Sequence, residues 1–367
     1  MLIQSDVFDV SRIIIRNIKN RKMTGVDNVL IGFINSYNLH YNFYFRYKFI
    51  PIVLPRKFSI ILFEHILESK RISKIKLFKY LIISLPLTFL STLFKFRNFY
   101  NFGHSGLNNE ISVKIPKFIC KNFVVLIHDL IPIRSPQFCI NGESERHKKR
   151  MVNITNYADK IIFLSNITRK HYFEWLETNS CKVNRSNTRV INPASSICVD
   201  KNLEKKHFCM IGTIEPRKGY KEIIDLFNAL DRPPFPLVIV GQEGWMCDAE
   251  IDQLRTLNNK KKLLWLDRCS DQELVKILSQ SFAVIQNSRA EGYGLPIMEA
   301  LSNGIKTLIR YSEEVEIFDN ENAIYFHNIN ELVDIIKNVK FDTNLESSKN
   351  IRTWNDVSNE LISFVEN

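Results

Sequence analysis

The sequence lacks paired cysteines. Its 367 residues include seven cysteines, an odd number, and no Cys-x-x-Cys pair occurs. This pattern argues against a disulfide framework and against a structural zinc site. The first residues, MLIQSDVFDVSR, also lack the basic start and apolar core of a signal peptide. We therefore expect reduced thiols and a cytoplasmic protein.

An apolar run long enough to span a bilayer is also missing. The uncharged stretch YLIISLPLTFLSTLF (80–94) contains Pro86 and is shorter than the roughly 20 residues that a span needs. Basic residues flank it over residues 70–97. Two interpretations stay open: a segment that lies peripherally on the anionic inner face of the plasma membrane, or a helix buried against a sheet.

Acidic residues are outnumbered, with 39 Asp and Glu against 50 Lys and Arg, so the formal charge is +11. A basic surface suits anionic partners such as nucleotides, nucleic acid or an acidic membrane. Because no aromatic–basic nucleic-acid motif occurs, we expect no nucleic-acid partner. Hydrophobic residues make up 45% of the chain, a globular composition with length for two domains.

Short apolar runs alternate with amphipathic segments, most regularly in the second half. HFCMIG (207–212), LVIVG (237–241) and FAVIQNS (282–288) are predicted strands that alternate with predicted helices. This alternation predicts parallel sheets covered on both faces, in two α/β domains that face a central cleft. The predicted domains are 1–195 and 196–345, with a C-terminal helix in 346–367 that could pack back on the first domain.

Glycine and proline stand together in NSRAEGYGLPIMEALSNG (287–304). Pro296 suits the first turn of a helix, where its missing N–H costs nothing. Gly292 and Gly294, with Leu295 opening the helix, would let a phosphate approach the backbone at the helix N-terminus. The alternative is an ordinary strand–loop–helix connection.

Two glutamates flank those glycines. Glu291 lies in the predicted loop and Glu299 on the predicted first turn of the helix. A carboxylate has two acceptor oxygens, so Glu291 suits sugar hydroxyls and Glu299 a ribose diol. The alternative role of such an acid is helix capping.

Adjacent cations follow another predicted strand, in IGTIEPRKGY (211–220). Arg217 and Lys218 could clamp a diphosphate beside Gly212, with arginine as a planar fork and lysine as a point charge. A solvated basic turn is the alternative.

Three stretches of the first half also lie at predicted strand ends or turns. VVLIHDLIPIRSP carries His128 and Asp129, RKMTGVDNV carries Gly25, and NFYNFGHSGLN carries His104. We assign His128 to the reaction site, Gly25 to backbone contact with a phosphate, and His104 and Asp129 to the acceptor side. A structural histidine is the alternative at His128.

Together, EGYGLPIMEA, IGTIEPRKG, RKMTGVDNV, NFGHSGLN and HDLIPIRSPQFC resemble the retaining nucleotide-sugar glycosyltransferases of family 4, which have the GT-B fold. The resemblance extends over most of residues 6–327 and is nearest to a bacterial branch that builds surface polysaccharides. It departs at Gly219, where the family has asparagine.

The resemblance implies specific roles. Glu299 would bind the ribose, Glu291 the donor sugar, and Arg217 and Lys218 the diphosphate leaving group. His128 would contact the donor sugar and the turn at Gly25 the phosphates. No cofactor and no metal are implied, and no Asp-x-Asp motif occurs.

We therefore expect a retaining hexosyltransferase that moves a sugar, with mannose favoured, from a nucleoside diphosphate to a hydroxyl of a lipopolysaccharide- or capsule-type glycan, which could be lipid-linked. A nucleotide-sugar epimerase of similar fold, detected by free epimers without transfer, and a non-catalytic partner subunit are the alternatives.

Overall fold

The computed structural model describes residues 5–21, 23–47, 50–68, 72–181, 183, 185–230, 233–338 and 352–366. The chain forms two compact units. The first comprises Met1–Ile133, Ser144–Pro193 and Trp354–Asn367, and the second comprises Arg134–Glu143 and Ala194–Thr353. The sequence predicts a boundary after residue 195. Of the predicted C-terminal segment 346–367, residues 346–351 and 367 lie outside the described part.

The first unit is built on a seven-stranded sheet. Its strands are β1 (Asp6–Asp9), β2 (Tyr41–Tyr47), β3 (Ile50–Leu54), β4 (Phe96–Asn101), β5 (Cys120–Ile127), β6 (Lys160–Phe163) and β7 (Thr188–Val190). Its helices are α1 (Ser11–Ile18), α2 (Gly25–Ser36), α3 (Arg56–Leu67), α4 (Lys74–Leu93), α5 (Glu110–Ile119), α6 (Ile131–Arg134), α7 (Glu143–Tyr157), α8 (Asn166–Thr178) and α14 (Trp354–Glu366).

The strand order of this sheet is β3-β2-β1-β4-β5-β6-β7. All neighbours are parallel except β2 and β3, which form an antiparallel pair at the edge. The expectation of parallel strands alone is therefore wrong at this edge. The sequence pattern also missed β2, β3 and β4. Aromatic, charged and amide residues interrupt the apolar alternation of β2 and β4, and β3 is a short strand that contains Pro51.

Strand β4 is held by a polar ladder that crosses the sheet. Asn98 donates from Nδ2 to Asp6 of β1 over 2.9 Å, and its Oδ1 accepts from Nδ2 of Asn122 on β5, also over 2.9 Å. Asp6 is fully buried and also pairs with Arg97. Buried polar groups are tolerated when their hydrogen bonds are satisfied, so β4 is stable without an apolar pattern.

The second unit has a six-stranded, fully parallel sheet with the order β10-β9-β8-β11-β12-β13. Its strands are β8 (His207–Ile211), β9 (Leu237–Val240), β10 (Leu264–Leu266), β11 (Ser281–Gln286), β12 (Thr307–Arg310) and β13 (Ala323–Phe326). Its helices are α9 (Tyr220–Ala229), α10 (Asp248–Asn259), α11 (Asp271–Ser279), α12 (Leu295–Ser302) and α13 (Ile329–Asn338).

Buried side chains cover both faces of the second sheet. Phe208, Met210 and Ile239 belong to one apolar cluster, and Cys209 and Val284 to another. Successive residues of a strand point to opposite faces, so continuous apolar strands such as HFCMI need a helix layer on each side. This confirms the sandwiched parallel sheet predicted for this half.

The C-terminal helix α14 belongs to the first unit and packs on α2. The indole of Trp354 fills the space that a side chain at Gly32 would need. The hydroxyls of Ser36 and Ser358 are 2.6 Å apart, and both residues are buried. Glycine at position 32 is therefore required by the close approach of these two helices.

Candidate active site

The two predicted phosphate-binding stretches of the second unit lie at a topological switch point. Strands β8 and β11 are parallel neighbours at the centre of the sheet. The chain leaves β8 toward β9 on one side and leaves β11 toward β12 on the other. Loops that diverge in this way open a crevice at the carboxyl ends of the strands, where open α/β sheets bind ligands.

Those two loops bring four charged side chains together. Arg217 donates from Nη1 to Oε2 of Glu291 over 2.8 Å, and its Nη2 lies 2.5 Å from Oε1 of Glu215. Lys218 donates to the other oxygen of Glu291. Only 6% of Lys218 and 7% of Glu291 are exposed, so this pair is shielded from water. We call these residues (Glu215, Arg217, Lys218 and Glu291) the charge cluster.

The charge cluster keeps Glu291 ionised. Burial alone would raise the pKa of the Glu291 carboxyl, but the charges of Arg217 and Lys218 outweigh burial and hold it well below its ordinary value. Burial lowers the pKa of Lys218, and the charge of Glu291 opposes that effect. The cluster joins two cations to two carboxylates, so the predicted diphosphate clamp is already neutralised by neighbouring acids.

Gln286 fixes the position of Glu291, and sequence reasoning missed it. Its Nε2 donates to Oε1 of Glu291 over 2.9 Å and to Oγ of Ser288 over 2.8 Å. Its own Oε1 is buried and has no hydrogen-bond partner among the described residues. Glu215 was missed as well, although it stands two residues before Arg217 in the same quoted stretch.

The glycines of the two loops have different surroundings. Gly212 has a φ of 137°, and a Cβ there would lie 3.6 Å from Nζ of Lys218. Gly294 has a φ of 87° and precedes Leu295, the first residue of α12, while Gly292 is half-buried. Pro296 lies in the first turn of α12, as predicted.

Glu299 stands apart from the charge cluster. It is the fifth residue of α12 and therefore lies in the second turn, so the predicted position in the first turn is wrong. Its half-buried carboxyl has no hydrogen bond or ion pair within the described residues. Burial, followed by the charge of Asp271, raises its pKa to about 7. This carboxyl can accept hydrogen bonds from a ligand.

Gly219 has a structural reason for departing from the family's asparagine. Its φ is 66°, and a Cβ there would overlap the side chain of Asn287. Asn287 donates from Nδ2 to the Gly219 carbonyl over 2.8 Å and to Glu222 over 2.7 Å, so it is not free to move away.

We expect Gly219→Ala to lower the free energy of unfolding by about 2 kcal/mol or more, through left-handed strain and overlap with Asn287. Gly142→Ala is the matched control, because Gly142 has a φ of 83° and nothing within 4 Å of the added Cβ. Urea unfolding of both variants measures the difference. Equal losses would show that the overlap with Asn287 contributes nothing.

In the first unit, three histidines gather at the carboxyl ends of β4 and β5. The rings of His104 and His128 have centroids 5.0 Å apart, and those of His104 and His147 are 6.1 Å apart. Each Nε2 faces a backbone carbonyl, that of Leu126 for His104, Phe102 for His128 and Asp129 for His147. A carbonyl can only accept, so each Nε2 carries the proton and each Nδ1 is an acceptor in the neutral ring.

Burial keeps these rings neutral. It lowers the pKa of His104 well below its ordinary value, with the charge of His128 as the next cause. Burial also lowers the pKa of His128. For His147 burial lowers the pKa to about 4. Neutral His128 can therefore accept a hydroxyl hydrogen at Nδ1, whereas Nδ1 of His147 already faces Arg150 over 3.0 Å. The Asp129 carboxylate accepts from the Ile131 amide over 3.1 Å.

We expect His147 to make the protein less stable in acid. Its pKa is about 4 in the folded state and about 6.5 in the unfolded chain, so the unfolded chain binds the extra proton between these values. Stability should therefore be complete above pH 6.5 and fall by about 1.4 kcal/mol per pH unit toward pH 4.

The His147→Gln variant tests this assignment, because glutamine can still donate to the Asp129 carbonyl. Urea unfolding between pH 7.5 and 4.5 should show a shallower acid loss for the variant than for the parent. Parallel pH profiles would contradict the role of His147.

A buried carboxylate lies next to the turn at Gly25. Gly25 opens α2, and Thr24 and Asp27 form a capping box at that end. Asp27 is fully buried and pairs with Arg12 at 2.9 Å and Arg16 at 3.1 Å. The exposed backbone at Gly25 therefore lies beside a carboxylate. Arg12 also packs against Gly103, since a Cβ added at Gly103 would lie 3.4 Å from the Cβ of Arg12.

The structure thus unites most of the predicted residues in two groups. Gly212, Arg217, Lys218 and Glu291 lie together in the second unit, and His104, His128 and Asp129 surround His147 in the first. Within the described residues, no three His, Cys, Asp or Glu side chains are placed to share a metal ion. The absence of a metal requirement stays a prediction.

The comparisons with solved structures support the fold. A solved structure of Anabaena HepE with UDP and glucose aligns with 99% of this chain and 95% of its own at a TM-score of 0.62 and 14% identity. Two parallel-sheet α/β units with such a structural neighbour define the GT-B fold class, as predicted.

Residues 198–352, which lie in the second unit, match the family described as Glycosyl transferases group 1. Two curated relatives come from Escherichia coli. The serotype-specific mannosyltransferase WbdA is 29% identical over 224 residues, which are 55% of this chain and 27% of that protein. O-antigen chain mannosyltransferase B is 30% identical over 98 residues, 26% of each chain. The match therefore spans about a quarter of each relative.

Proposed function

We propose that this protein is a glycosyltransferase that takes a sugar from a nucleoside diphosphate donor and transfers it to a glycan hydroxyl with retention at the anomeric carbon. One observation carries the proposal. A buried Arg–Lys–Glu cluster and the unpartnered Glu299 carboxyl flank the switch point of a group 1 domain.

Transfer breaks the bond between the sugar and the diphosphate, and the bonding electrons leave with the diphosphate. Arg217 and Lys218 can stabilise that developing negative charge without metal. Glu291 holds both cations in place and offers its oxygens near the reacting end of the donor. Glu299 would accept from the ribose diol, and neutral His128 would accept from a donor-sugar hydroxyl.

Retention would proceed by attack on the face from which the diphosphate leaves. The acceptor oxygen forms the new bond to the anomeric carbon, and its proton passes to the departing phosphate oxygen. In this scheme no side chain acts as a covalent nucleophile, which fits the engagement of Glu291 with two cations.

The names of the relatives favour a particular donor sugar and a particular class of acceptor. Both matched Escherichia coli proteins are mannosyltransferases, and one is named for the O-antigen chain. We therefore propose mannose as the sugar and a lipopolysaccharide-type glycan, which could be lipid-linked, as the acceptor. Peripheral contact with the anionic inner membrane would bring the enzyme to such an acceptor.

A nucleotide panel tests the proposed function. GDP, UDP, dTDP and CMP are compared by thermal unfolding, and one of them at 100 times its dissociation constant should stabilise the protein by about 2.7 kcal/mol. Mannose, glucose and galactose esters of that nucleotide are then incubated with glycan acceptors, with and without chelator. Transfer that survives chelation supports the proposal. No stabilisation by any nucleotide, or free epimers without transfer, overturns it.

A further inference from the structure

Helix α4 turns most of its large apolar residues outward, whereas its small polar residues Ser84 and Ser91 face inward. Leu77, Ser84 and Ser91 are buried. Thr88 anchors this inner face to β3, since its Oγ1 accepts from the amide of Val53 over 2.9 Å. A helix on the surface of a soluble protein normally shows the opposite arrangement.

Among the side chains that the structure describes, the outward face of α4 is mostly apolar. Its exposed large side chains range from 40% exposed at Leu90 to 72% at Ile75. They are Ile75, Phe78, Ile82, Ile83, Leu85, Phe89, Leu90, Leu93 and the adjoining Phe94. Positions 75, 78, 82, 85, 89 and 93 follow three- and four-residue steps, so they form one stripe along the helix.

The neighbouring helix α5 enlarges this stripe. Leu87 of α4 and Ile115 of α5 pack against the same core cluster, so the two helices lie side by side. On α5, Ile111 and Phe118 are 69% and 64% exposed. We call these outward residues of both helices the α4–α5 apolar surface. Large exposed apolar patches on a protein surface mark sites of interaction with a partner or a membrane.

Exposed lysines lie on or next to the two helices of the α4–α5 apolar surface. Lys79 on α4, Lys114 on α5 and Lys95 and Lys121 just beyond these helices are exposed. Helix α4 contains no acidic residue, and Glu110 of α5 is paired with Lys114 at 2.6 Å. An apolar face with a basic rim is complementary to an anionic lipid bilayer, which offers acyl chains beneath negative headgroups.

We propose that the α4–α5 apolar surface docks this protein onto anionic lipid bilayers. Docking would be peripheral, because no helix within the described residues is long and apolar enough to cross a membrane. The apolar side chains would enter the boundary of headgroups and acyl chains, and the lysines would remain at headgroup level. This deepens the proposed function by naming the surface that brings the enzyme to a lipid-linked acceptor. Vesicle binding is measured without sugar transfer, so the two proposals can fail separately.

The test is co-sedimentation of the full chain with vesicles of phosphatidylethanolamine and phosphatidylglycerol, and with pure phosphatidylcholine. We expect binding to the anionic vesicles that weakens with salt, and little binding to phosphatidylcholine. The triple variant Phe78→Gln, Ile82→Gln, Phe89→Gln should bind the anionic vesicles with an affinity lower than that of the parent by about tenfold or more. The double variant Lys79→Gln, Lys121→Gln should weaken binding and reduce its salt dependence.

The matched control is Ile140→Gln, Met246→Gln, Ile317→Gln, which removes three exposed apolar side chains from the second unit. It should bind vesicles as the parent does. All variants alter exposed side chains, and thermal unfolding checks that they fold. Equal binding by the triple variant and the parent would overturn the proposal. A second result would also overturn it: the parent does not bind vesicles but forms a dimer, and the triple variant does not form that dimer. The surface would then bind a second copy of the chain.

Discussion

Lys218→Met should reduce sugar transfer about a hundredfold or more. Methionine approximates the length of lysine but carries no charge, and loss of one buried electrostatic contact to a departing anion has about this effect. Because Lys218 is buried beside Glu291, stability should also fall, by up to about 3 kcal/mol. Arg217 still pairs with Glu291 in the variant, which limits this loss. Transfer kinetics and urea unfolding are measured on the same preparation.

Two controls separate catalysis from folding. The double variant Lys218→Met, Glu291→Gln removes both charges of the buried pair, so it should recover much of the lost stability without recovering transfer. Lys221→Met changes an exposed lysine that pairs with Asp225 on α9, and its transfer rate should match the parent. If the Lys218→Met protein folds and transfers sugar at the normal rate, the assignment of the charge cluster to the proposed active site is wrong.

Glu299→Gln and Glu291→Gln should fail in different ways. The carboxyl group of Glu299 has no hydrogen-bond partner among the described residues and is available to a ligand, so its loss should weaken binding of the nucleoside diphosphate by about 1–3 kcal/mol. Glu291 neutralises Arg217 and Lys218. Glutamine at position 291 removes the anionic partner of Lys218, whereas Arg217 keeps its pair with Glu215. Nucleotide affinity should therefore hold or rise while transfer slows. Calorimetry with the nucleotide and transfer kinetics measure the two effects.

The pH dependence of binding adds a readout that is specific to Glu299. Its pKa is about 7 in the free protein, and a ribose diol favours the ionised form. Affinity should therefore be complete above pH 7 and fall as the pH drops below it, beyond the change caused by the phosphate's own titration. Glu299→Gln should remove that extra fall. Equal losses of affinity in both glutamate variants would contradict the division of roles.

Regular stretches of the second half could be predicted from the sequence with little error. The strands at 207–212, 237–241 and 282–288 appear as His207–Ile211, Leu237–Val240 and Ser281–Gln286. Strands buried on both faces produce continuous apolar runs, so their pattern is local and visible in the sequence. The strands β2 and β4 were not visible, because polar residues such as Asn42 and Asn98 are satisfied by partners far away in the chain. Strand β3 was not visible because it is short and contains Pro51.

The sequence by itself determined the class of the fold and the segments that carry charge at strand ends, because apolar periodicity and turn residues act locally. Only the tertiary structure decided which charges meet. Glu291 follows β11 and is more than 70 positions from Arg217 and Lys218, which follow β8, so their pairing depends on the strand order. The outward turn of the apolar face of α4 was likewise undecided by the sequence, since an apolar helix can equally pack inward. Its direction followed from the hydrogen bond between Thr88 and β3, a contact between residues 35 positions apart.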